Sequence, residues 1–166
     1  MEREYLVKSV KVAKAMAIAG VYTALTVVLG YWSFGPLQFR VADAMLVLPY
    51  LTSMGFESVA GLTIGGFLGN IPSPFGLWDW LFGPATNLGA SLVFYTVKRV
   101  AGRGAVPFIL GGLLSAAWIA FAVGYLELVA IFGLPTWTFL SVLASELVIL
   151  EVFGGLLVKF AQRIGL

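Results

Sequence analysis

The sequence predicts an all-α integral membrane protein: a compact bundle of six transmembrane helices with both termini cytoplasmic, formed by residues 1–166 as a single domain. Three observations carry this expectation. The chain is 60% hydrophobic and only 11% charged, with a mean hydropathy of +0.99, as expected of a membrane-embedded chain. Its 166 residues leave room for about five to seven crossings at roughly 20 apolar residues each. Its ten basic residues fall into three groups and one singleton: Arg3, Lys8, Lys11 and Lys14; Lys98, Arg99 and Arg103; Lys159 and Arg163; and Arg40 alone. If the groups mark cytoplasmic ends, an even number of crossings separates them, four and then two.

The first helix, 12–30, follows the basic stretch "KSVKVAK"; it is long for a signal-peptide core, and no small-residue cleavage site follows, so it is expected to be retained. Turn residues place the others at 41–53, 57–70, 79–97, 105–127 and 138–158. The second and third have about 14 residues each, or ~21 Å of helix, so flanking backbone must dip into the membrane and be buried by protein. The outer loops are "YWSFGP" (31–36), "IPSPFG" (71–76) and "FGLPTW" (132–137), whose aromatic residues suit a membrane interface.

With no cysteine and no histidine, the chain lacks the parts for zinc or haem sites, for Ser/His or Cys/His catalysis and for disulfides. No metal or cofactor is expected. The formal charge of +2, spread over scattered basic residues, gives no footing for nucleic acid.

The polar residues within the helices collect in the outer half. Arg40 and Asp43 open the second helix, Asn70 closes the third, Asp79 opens the fourth with Asn87 two turns deeper, Glu127 closes the fifth, and Glu146 interrupts "FLSVLASELVIL" in the sixth. Charges at membrane depth cost about 2.5 kcal/mol or more each on insertion scales and normally face one another or a cavity. A polar pocket open to the outside is the expectation. Asp79, Gly83, Asn87 and Ala90 share one helical stripe, although Asp79 also suits a plain helix cap. Trp118 and Glu127 point to opposite sides of an unbroken helix, which leaves Glu127 open as an interfacial charge. Glu57 reads as interfacial, and Glu151 has no assigned role. Arg40 either pairs with Asp43 one turn on or reaches across to Asp79 or Glu146. In the first helix, Ala13, Ala17, Gly20 and Ala24 form a small-residue stripe, with Ala15 and Ala19 as a second pair close by.

The segments "PLQFRVADAMLVLPYL" (36–51), "GLTIGGFLGNIPSPFGLWDWLFGPATNLGAS" (61–91) and "SELVILEVFGGLL" (145–157) together resemble the QueT family, the queuosine-precursor substrate-binding subunits (S components) of energy-coupling factor (ECF) transporters. The resemblance implies a six-helix S component in the cell membrane with an outward ligand pocket. It also implies an alanine motif, here Ala13, Ala15, Ala17 and Ala19, that docks on a transmembrane coupling subunit served by two ATPases. The chain has no "GxxxxGK" phosphate loop, so ATP hydrolysis would belong to those partners and the chain itself would be no enzyme. The implied ligand is a 7-deazaguanine bearing a 7-cyano or 7-aminomethyl group. Glu146 or Asp79 would take its donor edge, Asn70 and Asn87 would orient it, Trp78 or Trp137 would stack on it, and Gln38, Arg40 and Glu127 complete the expected set. The rival readings are an S component for another vitamin-like ligand, a stand-alone ion-coupled carrier, and an intramembrane enzyme with paired acids; the last lacks a "GxGD" motif.

Overall fold

The computed structural model describes residues 2–35 and 38–165, with backbone alone for Glu2 and Arg3. Pro36, the last residue of the expected first outer loop, and Leu37, which follows it in the 36–51 segment, lie outside the described residues, as do the chain ends Met1 and Leu166. Among the described residues every regular element is helical. α1 (Glu2–Val28) is followed by the single turn α2 (Gly30–Ser33), a 3₁₀ helix (Val41–Tyr50), α3 (Phe56–Gly69) and α4 (Leu77–Ala101). α5 (Ala105–Ile119) runs on into a π-helical segment (Ala120–Ile131). After a third loop, α6 (Trp137–Leu147), a second π segment (Val148–Gly154) and α7 (Gly155–Arg163) form one more rod.

Three rods are long and apolar enough to cross a membrane: Glu4–Val28, Ala105–Ile131 and Trp137–Arg163. α4 is 25 residues long but carries Asp79 in its first turn and Lys98 and Arg99 in its last. The expected helix bounds need correction. The first helix begins at Glu2 and not at 12, and the fourth, fifth and sixth run on to Ala101, Ile131 and Arg163. Charged and loop-flanking residues continue a helix at no cost once its apolar middle is packed, so composition sets the middles and not the ends.

The second helix departs most, being 3₁₀ over ten residues and stopping at Tyr50. At about 2.0 Å per residue, a 3₁₀ helix covers roughly 20 Å with ten residues, where an α-helix covers about 15 Å. This short piece is the hub of the molecule. Its buried residues include Ala42, Asp43, Leu46, Val47, Leu48 and Tyr50, and it packs on α1, α3, α4, α7 and the second π segment.

α1 and α3 meet through small residues. A Cβ on Gly61 would stand 2.5 Å from the Ala15 carbonyl oxygen, so only glycine allows the two backbones to approach this closely. Residues of all three basic groups gather at one end of the bundle. Lys14 donates to the Ser53 carbonyl at 3.1 Å, Lys98 donates to the carbonyls of Leu51 (2.9 Å) and Met54 (2.8 Å), and Arg103 donates to the Thr52 hydroxyl. Arg103 also shares a cavity with Lys159. Glu57, at the same end, accepts the Gly55 N–H at 3.0 Å.

Candidate functional site

The opposite end holds the polar residues. The 3₁₀ helix delivers Arg40 as its cap residue and Asp43 in its first turn. α4 delivers Asp79, Thr86 and Asn87 on its buried face, the first π segment delivers Glu127, and α6 delivers Glu146. All four carboxyls are buried: Asp43 is 3% exposed, Asp79 5%, Glu127 0% and Glu146 2%. They form two pairs. Asp43 lies beside Glu146, and Asp79 beside Glu127. Among the described residues no three of them converge as a metal site would require.

Arg40, also buried, stands between the pairs. Its guanidinium reaches the Tyr22 hydroxyl and lies within electrostatic range of Asp43 and Asp79, and it sits 5.6 Å from the centre of the Phe34 ring. Its charge thus lies within range of both its own helix's Asp43 and Asp79 across the bundle, with an ion pair within 4.0 Å to neither. The only ion pair within 4.0 Å among the described residues is Lys8–Glu4, at 2.8 Å on the surface.

Around this core the hydrogen bonds are short of donors. Tyr22 donates to the Asp43 carboxyl, while its oxygen also lies 3.2 Å from Asn87 Oδ1. One phenolic proton cannot fully serve both acceptors. Ser73 donates to Asp79. The two asparagine amides are spent on helix backbone: Asn87 Nδ2 donates to the Leu62 carbonyl at 2.9 Å and Asn70 Nδ2 to that of Gly66 at 2.7 Å. Asn70 Oδ1, both Glu127 oxygens and Glu146 Oε2 are buried with no donor among the described residues.

Two cavities define access. The inner one measures about 10 Å³ and is lined by Arg40, Asp43, Thr86, Glu146 and Gln38 with apolar neighbours. The outer one, of about 380 Å³, is walled by Phe34, Phe75, Leu128, Leu134, Trp137 and again Gln38. The inner space suits about one water, whereas the outer falls within the ~300–1,000 Å³ of small-molecule sites. Gln38 lines both and forms the partition. It also has φ of +48°, the left-handed region where a side chain brings strain.

The sequence expectations sort accordingly. Asp79 and Glu127 lie beside each other within reach of Arg40's charge but line neither cavity. Glu146, Arg40 and Gln38 share the inner cavity, and Trp137 lines the outer one with Gln38. Trp78 does not: it is 43% exposed, its ring lies 6.3 Å from that of Phe82, and it lines neither cavity, because its place at the start of α4 turns it outward. Glu127 is buried and not interfacial, whereas Trp118 packs outward against Gly89, in keeping with opposite faces. Asn87 staples α4 to α3, while Asn70 turns back onto Gly66 of its own helix. Ala13 and Ala17 are exposed, Ala15 is half-buried, and Ala19 is buried on the side of α1 that faces α3. Glu151 lies apart, its carboxyl against Gly112. Tyr22, Ser73, Phe75 and Thr86 were missed. Tyr22 follows Ala15 and Ala19 at i+7 and i+3, on the same inward face, and that spacing was the available signal.

The family model described as QueT transporter matches residues 12–163 of the chain. No curated protein and no solved structure matches it. The chain belongs to the QueT transporter family.

Proposed function

We propose that this member of the QueT transporter family is the S component of an ECF transporter and captures a queuosine precursor, a 7-deazaguanine with a 7-cyano or 7-aminomethyl substituent, from the outside. The observation that carries the reading is a donor-poor, acid-rich chamber beneath an aromatic vestibule. A guanine-type base is rich in donors on its Watson–Crick edge and has a flat apolar face, so it complements both levels at once. Glu146, with Asp43 behind it, takes the N1–H and amino donors; Arg40 serves the carbonyl; Trp137 and Phe75 hold the ring face. Gln38 must move for the base to reach the acids. Adenine is rejected because its edge leaves buried carboxyls without donors.

Energy comes from partners: the chain carries no phosphate loop, and two ATPases act through a coupling subunit docked on the exposed Ala13 and Ala17, with Ala15 and Ala19 lying behind them on the face toward α3. The gathering of all three basic groups at one end supports six crossings with both termini cytoplasmic in the cell membrane. Isothermal titration of the purified chain against 7-deazaguanines, guanine, adenine and vitamins tests the ligand. Binding of a vitamin with no response to any deazapurine would replace the ligand and keep the S-component reading. Ligand accumulation by reconstituted chain alone would replace the energy-coupled reading with a stand-alone ion-coupled carrier.

A further inference from the structure

We propose that a cavity at the basic end of the bundle, between α5 and α7, binds an anionic phospholipid, with Arg103 and Lys159 on its headgroup and the apolar walls along its acyl chain. The site lies apart from the polar chamber and stands whether or not the deazaguanine reading does.

The cavity measures about 620 Å³. α5 meets the second π segment and α7 packs on the 3₁₀ helix, and the space left between α5 and α7 is floored by two aromatic rings. Tyr50 and Phe108 meet edge to face at 5.4 Å. The Tyr50 hydroxyl closes the corner, accepting the Gly104 N–H at 2.8 Å and donating to the Gly104 carbonyl at 2.9 Å. Ile109 on α5 and Val152 and Leu156 on the facing rod form the walls, and all three are about half exposed. Arg103, Lys159 and Gln162 line the same trough, so cations from two separate segments stand over one apolar groove. No described residue of α1 or α3 lines it, which sets it off from the face carrying Ala13 and Ala17.

Among the described residues neither Arg103 nor Lys159 has an ion pair. Arg103 gives a hydrogen bond to the Thr52 hydroxyl, which uses one of its five N–H donors. Glu151 is the one acid on the lining, and its carboxyl lies against Gly112, about 13 Å along α5 from Arg103. The charge on the trough is therefore positive at the end where the basic groups gather, the level of the lipid headgroups, and the walls run from there into hydrocarbon. An anionic phospholipid matches both parts: its phosphate oxygens accept from the guanidinium and the ammonium, and its chain covers Ile109, Val152 and Leu156. A zwitterionic lipid brings the same phosphate with a tethered cation that Arg103 and Lys159 repel. Each basic residue at a membrane surface favours anionic lipid about fivefold, so the two together give about 30-fold. Bound there, the lipid joins α5 to α7 beside Tyr50 and steadies the last turn of the 3₁₀ helix.

For the test, the full purified chain is reconstituted in bilayers of phosphatidylglycerol and phosphatidylcholine in equal parts with matched acyl chains, extracted into detergent, and the lipid it retains is counted by native mass spectrometry. Four chains are compared: the unaltered sequence; Arg103→Gln with Lys159→Gln; Gly155→Leu, which fills the trough and keeps both charges; and Lys8→Gln with Lys11→Gln, which removes as much charge from α1. Thermal unfolding without added lipid checks that each is folded, and the Arg103/Lys159 variant decides alone if Gly155→Leu is not. Phosphatidylglycerol should be retained over phosphatidylcholine about 30-fold by the unaltered chain and the α1 variant, and within about threefold by the Arg103/Lys159 variant, with retention lost in Gly155→Leu. No preference in the unaltered chain, a preference that survives loss of Arg103 and Lys159, or an equal loss in the α1 variant would overturn the site. So would inorganic phosphate that raises the melting midpoint as much as phosphatidylglycerol does, since the occupant would then be a free anion.

Discussion

Replacing Tyr22 with Phe removes a hydroxyl and leaves the ring, which makes it the sharpest probe of how the chamber is held. Tyr22 is fully buried, donates to Asp43 and lies 3.2 Å from Asn87 Oδ1. In a water-soluble core, a hydrogen bond to a charged partner contributes about 1.5–3 kcal/mol. Within membrane helices, double-mutant cycles average ~0.6 kcal/mol with a maximum near 1.7, because the unfolded chain in lipid also finds partners. Tyr22–Asp43 belongs at the top of that range, since Tyr22 is fully buried and Asp43 is only 3% exposed. A cycle of Tyr22→Phe, Asp43→Asn and the double variant should give a coupling of about 1–2 kcal/mol. For a chain of this size that corresponds to roughly 3–6 °C in the thermal midpoint of the single variant. Fluorescence-detected unfolding in detergent, without ligand, measures it. A coupling under about 0.3 kcal/mol would refute the claim that α1 holds the 3₁₀ helix through this contact.

Gly83→Ala places a methyl on the Asn70 amide and should cost about 1–3 kcal/mol by forcing α3 and α4 apart, seen as a lowered melting midpoint. Arg40→Gln should weaken ligand binding about tenfold or more while melting changes little; unchanged affinity would make Arg40 a helix-end charge. Gln38→Gly relieves a strained backbone worth about 1 kcal/mol and removes the partition, so the variant should be no less stable and should release ligand faster in stopped-flow. Ala13→Trp with Ala17→Trp should leave ligand binding intact and abolish capture by the coupling subunit in a pull-down; normal assembly would remove the docking surface.

Depth was legible in the sequence, and direction was not. The basic groups and the outer acids announced which residues share a level of the bundle, because a charge in a greasy chain has few places to go. Which neighbour each faces depends on helix phase, and phase was lost wherever the helix is not α. Spacing set Trp118 and Glu127 on opposite faces, but it did not say which of the two faces inward, and Glu127 is the buried one, within a π segment. The asparagines looked free to orient a ligand because nothing in sequence reveals that α3 and α4 approach through glycine and spend both amides on backbone. Trp78 and Trp137 were interchangeable as loop aromatics until the loops were placed. Tyr22 was passed over because a tyrosine within an apolar run reads as packing until Asp43 is seen beside it.

The two π segments, Ala120–Ile131 and Val148–Gly154, also bear on how such a bundle can change over evolutionary time. A π turn accommodates an extra residue in a helix, so deleting one residue there restores α geometry and rotates everything beyond it by ~100° while the helix axis stays put. Glu127 and Glu151 each sit inside one of these segments. A single codon gained or lost at either place would swing an acid into or out of the interior without disturbing the outer surface of the bundle, giving the scaffold a route to new ligand preferences that substitution alone does not supply.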